Sequence, residues 1–194
     1  MESISINGLN ARFRPDGKIF FTVIDLESFP EWPEGPLLEL LHGEIYLVPS
    51  PNTLHQDISA SIFVQIRNYL NINPVGRSFT APYDVILSDE DAVIPDIIYV
   101  SNENSKIITA KNIRGSPDFI IEIVSTNRKR DFIDKRDLYE KSGVKEYWVV
   151  DPKDEIIYKF VRNNQGIFDS PSEHTFKDTI QVESIKGFSI TLHG

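Results

Sequence analysis

Leu54, Ile58, Ile62, Ile66 and Leu70 recur every four residues, with polar residues largely opposite them. That spacing keeps one face of an α-helix apolar and predicts a helix buried along one side. Thr53 and Gln56 stand at its start in a T-x-x-Q arrangement, the pattern of a capping box. A second helix is predicted over about Phe132–Ser142. Asp131 is placed to cap its first turn, and Gly143 to take the left-handed position that ends it.

Most of the remaining apolar residues read as strands. Leu37–Leu41 and Glu44–Val48 flank a turn at His42-Gly43 and are stopped by Pro49 and Pro51. Strand-like runs follow at Arg77–Leu87 and Ile94–Val100, then a polar connection, Ser101–Ser116. Asp118–Ser125 holds a nearly continuous apolar run, which indicates a central strand covered on both faces. Lys145–Val150 and Ile156–Val161 pair about a turn at Asp151-Pro152, and Gln181–Leu192 supplies further strand material. Residues 1–36 are expected to form an N-terminal arm packed on the domain 37–194. Within the arm the pattern allows a strand at Lys18–Ile24 and a short helix at Leu26–Trp32, broken by the Pro-rich Pro30–Pro36. The order of elements predicts a mixed α/β sandwich.

Length and composition narrow the class. A chain of 194 residues fits one domain and can bury a substantial core without covalent staples. There is no cysteine, which excludes disulfides, thiolate metal sites and a Cys nucleophile. The N-terminus lacks the basic head and apolar stretch of a secretory signal, and no apolar run approaches the roughly 20 residues of a membrane helix. A cytoplasmic location is therefore expected. The charge, 20 − 29 = −9, repels polyphosphate at long range and argues against broad coating of DNA, though not against a local basic patch.

Three residues suggest chemistry. Alternation puts Glu122 on the same strand face as Ile120 and Val124, where an ionised carboxylate costs several kcal/mol unless it is paired, protonated or bound to metal. A structural ion pair and a functional acid are both open. Asp96 follows Pro95 inside another apolar run; proline belongs at a strand start, edge or bulge, where a side chain can be re-aimed. Asp131, Lys135 and Tyr139 fall on one helical face at spacings of four, on a helix that follows directly after the Glu122 strand. Viewed alone, Asp131 and Lys135 read as a surface pair.

In order and spacing these segments resemble the PD-(D/E)XK nuclease superfamily, and specifically its restriction-endonuclease-like branch, the Uma-two domain family. The resemblance runs from about Leu37 to Val161. It is carried by Leu-His-Gly-Glu-Ile (41–45), Val-Pro-Ser-Pro-x-x-x-x-His (48–55), Pro-Asp-Ile-Ile-Tyr-Val (95–100) and Pro-Asp-Phe-Ile-Ile-Glu-Ile-Val-Ser (117–125). Asp131-x-x-x-Lys135-x-x-x-Tyr139 and Gly-Val-Lys-Glu-Tyr-Trp-Val-Val-Asp-Pro (143–152) complete it. The family implies an α/β restriction endonuclease-like core, a central mixed β-sheet flanked by helices. It also implies a metal-dependent endonuclease on DNA, using Mg²⁺ or Mn²⁺, with Asp96 as metal-binding aspartate and Glu122 as second acid. Val124 stands where the superfamily pattern puts lysine, and Lys135 resembles a migrated replacement. Glu44 resembles an additional acid of the metal shell and equally fits an exposed strand residue.

Two or three carboxylates with a backbone carbonyl would make a hard oxygen site suited to Mg²⁺ or Mn²⁺. A lysine beside it could orient the attacking water or neutralise developing charge. His55 reads as a solvated histidine or a neighbour of the site, while His42, His174 and His193 show no ligand spacing. Arg128, Lys129, Arg130 and Arg136 are either a phosphate-attracting patch or a solvated charge run. Tyr147 and Trp148 read as packing. The HExxH, GxSxG and Walker A patterns are absent. Two other functions stay open: a catalytically silent nuclease-fold module binding nucleic acid or protein, and a hydrolase of small phosphate esters. A homodimer is compatible with a nuclease that cuts both strands.

Overall fold

The computed structural model describes residues 3–6, 9–28, 37–125 and 128–192. In chain order they form strands β1 Ser3–Ile6, β2 Leu9–Phe13 and β3 Ile19–Phe20, then helix α1 Val23–Glu27. The hairpin β4 Leu38–Leu41 and β5 Glu44–Leu47 leads to the long helix α2 Thr53–Ile72. Strands β6 Gly76–Thr80, β7 Val85–Ser88, β8 Asp91–Val93 and β9 Ile97–Ser101 follow, then a 3₁₀ turn Asn102–Ile107 and the short β10 Ile113–Arg114. The central β11 Phe119–Ile123 feeds a π-helical stretch Arg130–Lys135 that continues as α3 Arg136–Ser142. The chain ends in β12 Glu146–Asp151, β13 Ile156–Val161, β14 Ser172–Thr175, β15 Thr179–Gln181 and β16 Ser189–Thr191.

The organising sheet has the order β14-β13-β12-β11-β9-β6. It is mixed: β11 runs parallel to β12 and antiparallel to β9, with Ile121 opposite both Trp148 and Ile97. Every residue of β11 is buried, as its continuous apolar run requires. On one face, Ile58, Ile62, Ile66 and Leu70 of α2 pack against Ile97, Tyr99, Phe119, Ile121 and Ile123. On the other, Leu138 and Tyr139 of α3 meet Ile98, Ile120, Tyr147 and Val149. Tyr147 and Trp148 are wholly buried packing residues. A second sheet, β10-β7-β8-β4-β5, lies on the α3 side, where Leu41, Val85 and Val93 join the same core as Ile120 and Tyr139. Among the described residues no helix is long and apolar enough to cross a membrane.

Several local expectations shift. The N-cap of α2 is Asn52, whose side chain accepts from the His55 amide at 2.9 Å, so no T-x-x-Q box forms. Leu54 is exposed, and the buried ridge starts with His55 and continues from Ile58. Arg77–Leu87 is two strands in two sheets, because Pro82 cannot extend a ladder, and the Ala81–Pro82 bond is cis. Of the expected strand Ile94–Val100 only Ile97–Val100 is strand, as part of β9; Ile94 and Pro95 lie in the connection from β8. Asp131 is not a cap but lies within the π-helical stretch, whose N-cap is Lys129. Gly143 does end α3, at φ 100°. The arm has only Ile19–Phe20 as strand within Lys18–Ile24, and its helix starts at Val23. Residues 29–36 lie outside the described residues, so most of the expected helix Leu26–Trp32 and its proline break cannot be placed. Strand β14 was not anticipated: Ser172–Thr175 is polar and largely exposed at a sheet edge.

Ile62 is fully buried between α2 and the central sheet. Ile62→Ala is expected to cost about 2–5 kcal/mol in urea unfolding, as for other large-to-small core changes. A loss within about 0.5 kcal/mol, the range of surface substitutions, would contradict this packing.

Candidate active site

Pro95 has no amide hydrogen, and the ladder between β9 and β11 stops at the pair Ile97–Ile121. Just beyond it, the side chain of Asp96 takes over the role of a strand carbonyl: Oδ2 accepts from the Ile123 amide at 2.7 Å. The same oxygen lies 3.1 Å from His55 Nε2. Asp96 is thereby held from two sides, by the central strand and by the first turn of α2. Burial pulls the His55 imidazole down, but Asp96 and the Ile123 carbonyl outweigh burial and leave its pKa above the ordinary value. Its Nδ1 is buried without a hydrogen-bond partner among the described residues.

Glu122 sits one residue earlier on β11, on the Ile120 face. Its Oε1 accepts from Lys135 Nζ at 2.9 Å and from the Tyr139 hydroxyl at 2.6 Å. Lys135 Nζ also lies 2.8 Å from Glu39 Oε1 on β4, and that oxygen accepts from the Ile94 amide at 2.9 Å. Glu39, Glu122 and Lys135 are all at most 4% exposed. The expected surface pair of Asp131 and Lys135 does not form; both residues are buried. Burial pushes the Glu122 carboxyl up to about 8, with Asp96 and Glu39 adding to it and Lys135 opposing. Burial alone would lower Lys135, but Glu122, Glu39 and Asp131 together hold it above its ordinary value. Asp131 is pushed up to about 6, again chiefly by burial.

Asp96, Glu122 and Lys135 all line one cavity of about 740 Å³, together with Glu39, His55, Arg130 and Asp131. Glu44 does not join them. Its side chain is exposed, accepts from the Tyr46 hydroxyl at 2.8 Å and lines a different surface hollow. The acid that the hairpin does deliver is Glu39, missed in the sequence although a lone acid inside Leu38–Leu41 is the same signal that singled out Glu122. Of the four clustered cations, Arg130 reaches the cavity. Arg128 pairs with Asp151 and Asp154, Lys129 with Asp134 at 3.6 Å, and Arg136 with Asp137 at 2.7 Å.

The donors fit a divalent cation. Four carboxylates, Glu39, Asp96, Glu122 and Asp131, line the cavity together with Arg130, Lys135 and His55. Oxygen ligands of this kind suit Mg²⁺ or Mn²⁺. Asp96 and Glu122 would hold such an ion, since they stand near the ends of adjacent strands and Asp96 adds to the cost of charge on Glu122. Among the described residues no group of three or more His, Asp or Glu side chains is gathered into a finished ligand set. Oε1 of Glu122 is instead turned to Lys135 and Tyr139.

The structure is a mixed α/β fold, a central mixed sheet with helices on its faces and acids near the ends of adjacent central strands. A solved structure from Anabaena variabilis, described as a putative nuclease belonging to DUF820, shares that fold at TM-score 0.73 and 17% identity. The match covers 88% of this chain and 94% of that one. The Uma2 family model, described as a putative restriction endonuclease, matches residues 26–193, and the chain belongs to that family. No curated protein matches the chain.

The positions of Glu39 and Glu44 can be told apart by stability. Glu39→Ala leaves the buried Ile94 amide without its acceptor, and a loss of at least about 1–3 kcal/mol is expected in urea unfolding. Glu44→Ala is expected to stay within about 0.5 kcal/mol, as a surface change. Equal losses would contradict the assignment of the buried acid.

Proposed function

We propose that the protein is a divalent-metal-dependent phosphodiesterase acting on DNA, with Asp96 and Glu122 holding the ion and Lys135 serving the reacting water or phosphate. The observation that carries this reading is the buried Lys135 ammonium, fixed 2.8 Å from Glu39 and 2.9 Å from Glu122 in the cavity that Asp96 lines. A bound Mg²⁺ or Mn²⁺ would polarise the scissile phosphate and make a bound water more acidic. The protein groups do the rest. His55 and the Ile123 amide orient Asp96; Tyr139 and Lys135 orient Glu122. Lys135 offers a preorganised positive charge where charge develops on phosphate, in a site largely withdrawn from water. Arg130 adds a second cation on the cavity wall.

A nuclease-fold binding module without hydrolysis is the second reading. It is favoured by one observation: Glu122 Oε1 is already engaged by Lys135 and Tyr139 rather than gathered with Asp96.

Mn²⁺ at a hundredfold excess over its Kd is expected to stabilise the wild type by about 2.7 kcal/mol, read as a rise in Tm. Asp96→Ala and Glu122→Ala are expected to lose that response. If both variants are stabilised as much as wild type, the ion is held elsewhere.

Lys135→Ala is expected to abolish nicking of supercoiled plasmid in Mg²⁺ or Mn²⁺ at low salt, while keeping the Mn²⁺-induced rise in Tm. An ammonium is not a ligand, and its removal spares an incoming cation some repulsion. Lys135→Arg is expected to be impaired as well, because a planar guanidinium does not reproduce a compact point charge. Cleavage by Lys135→Ala at the wild-type rate would remove the lysine from the reaction. A pure, metal-responsive wild type that cuts neither duplex nor single-stranded DNA would favour the binding module.

A further inference from the structure

Resting on the phosphodiesterase reading above, we infer that the cavity takes an unpaired nucleotide, so that the substrate is a single-stranded or frayed nucleic-acid strand rather than an intact duplex. Size and depth point this way first. A volume of about 740 Å³ corresponds to a cube about 9 Å on edge. That lies within the ~300–1,000 Å³ typical of pockets for small ligands. A B-form duplex, whose major groove alone is ~12 Å wide, does not enter such a space. Yet the groups that would act on phosphate lie deep in it: Glu122 and Lys135 are each only 4% exposed. A phosphate must leave the side of a helix to reach them, and an unpaired strand permits that without the cost of unpairing.

The walls agree. Leu37, Leu47, Pro49, Pro51, Phe63 and Pro82 all contribute to the lining. Leu37 and Leu47 are 43% and 59% exposed, a large apolar exposure in a cavity that also holds charged groups. Apolar side chains, the Phe63 ring among them, and charged groups in one cavity match the two halves of a nucleotide, a base with a π-face and an anionic phosphate.

Charge supplies the third argument. Duplex binding draws its affinity from many Lys and Arg side chains that neutralise phosphates along both strands. Here the lining cations, among the described residues, are Arg130 and Lys135, and Lys135 is already engaged by two carboxylates. Arg128, Lys129 and Arg136, which could have extended a track, are paired with acids of the protein itself. The net charge of −9 adds repulsion along any long polyanion. Two cations can hold one phosphate or two, not a duplex backbone. The reaction on such a strand is ordinary hydrolysis: a water oxygen bonds to phosphorus, the bond to the leaving sugar oxygen breaks, and the water's proton ends on that oxygen.

The test compares three fluorescently labelled probes of equal length by anisotropy: a single-stranded oligonucleotide, its duplex, and an abasic single strand. Ca²⁺, another cation that favours oxygen ligands, replaces Mg²⁺ to limit cleavage during titration. Wild type is expected to bind the single strand at least about tenfold more tightly than the duplex, and more tightly than the abasic strand. Phe63→Leu, which keeps an apolar side chain in the α2 packing, is expected to weaken single-strand binding about tenfold, the scale of one lost base–aromatic stack, and to leave the abasic strand unchanged. An unshifted Tm for that variant shows that the fold is intact. Duplex binding as tight as single-strand binding, or no binding of any probe, overturns the inference. Cleavage of the same probes in Mg²⁺ and Mn²⁺ separates the two readings. Duplex cut as fast as single strand sinks the substrate class and leaves the phosphodiesterase, whereas tight single-strand binding without cleavage supports the cavity's ligand and sinks the reaction.

Discussion

The Lys135 ammonium, clamped between Glu39 and Glu122, is the interaction on which the rest of the site depends. Each of the three groups is almost entirely withdrawn from water, where the effective penalty for one ion is several kcal/mol and holds the Glu122 carboxyl up. Mutual attraction and the hydrogen bonds from Tyr139 and the Ile94 amide offset that penalty. Three elements are tied together as a result: β4 of the second sheet, the central β11, and the helix that carries Lys135. A buried pair of this kind is weak evidence for stability by itself, because apolar residues of equal volume pack as well or better. Its presence in the wall of a cavity lined by two further carboxylates makes a functional reason the more economical one.

The same economy of backbone groups shapes the acids. Asp96 and Glu39 both accept from main-chain amides, of Ile123 and Ile94, that stand where strand pairing gives out. Pro95 creates one of these places by ending the ladder between β9 and β11. An acid held by a fixed amide has its orientation set before any ligand arrives. That is the preorganisation electrostatic catalysis requires. The π-helical winding over Arg130–Lys135 belongs to the same pattern, since such wide turns recur at functional sites and here carry Arg130, Asp131 and Lys135 to one cavity.

Much of this was legible in the sequence, for identifiable reasons. The ridge from Ile58 to Leu70 and the continuous apolar run of Phe119–Ile123 are strong periodic signals, and both elements stand where the pattern puts them. Asp96 and Glu122 could be singled out because each interrupts such a run, and Lys135 by its spacing of four from Asp131 and Tyr139 on the next helix together with the family resemblance. Glu44 was named from a family resemblance, which weighs motif position, and Glu39 was missed because burial depends on which strand of the hairpin turns inward. That choice is made by β8, which pairs with β4 at Leu40–Ala92 and encloses the strand carrying Glu39. The split of Arg77–Leu87 between two sheets was hidden for a similar reason: local propensity does not say which partner a strand finds. The capping of α2 by Asn52 rather than Thr53 starts the helix one residue early, and packing against the sheet turns His55, not Leu54, inward against Asp96.

Membership in the Uma2 family sets the chemical expectation, and the carboxylates around Lys135 are where we propose that it is met. The most direct test is crystallographic: anomalous diffraction from crystals grown or soaked with Mn²⁺. A manganese peak within coordination distance of both Asp96 and Glu122, with Lys135 still in the adjoining wall, is the result predicted. Manganese bound only at another carboxylate group, such as the surface hollow of Asp89, Glu90 and Asp91, or no peak at the cavity at saturating Mn²⁺, would contradict it.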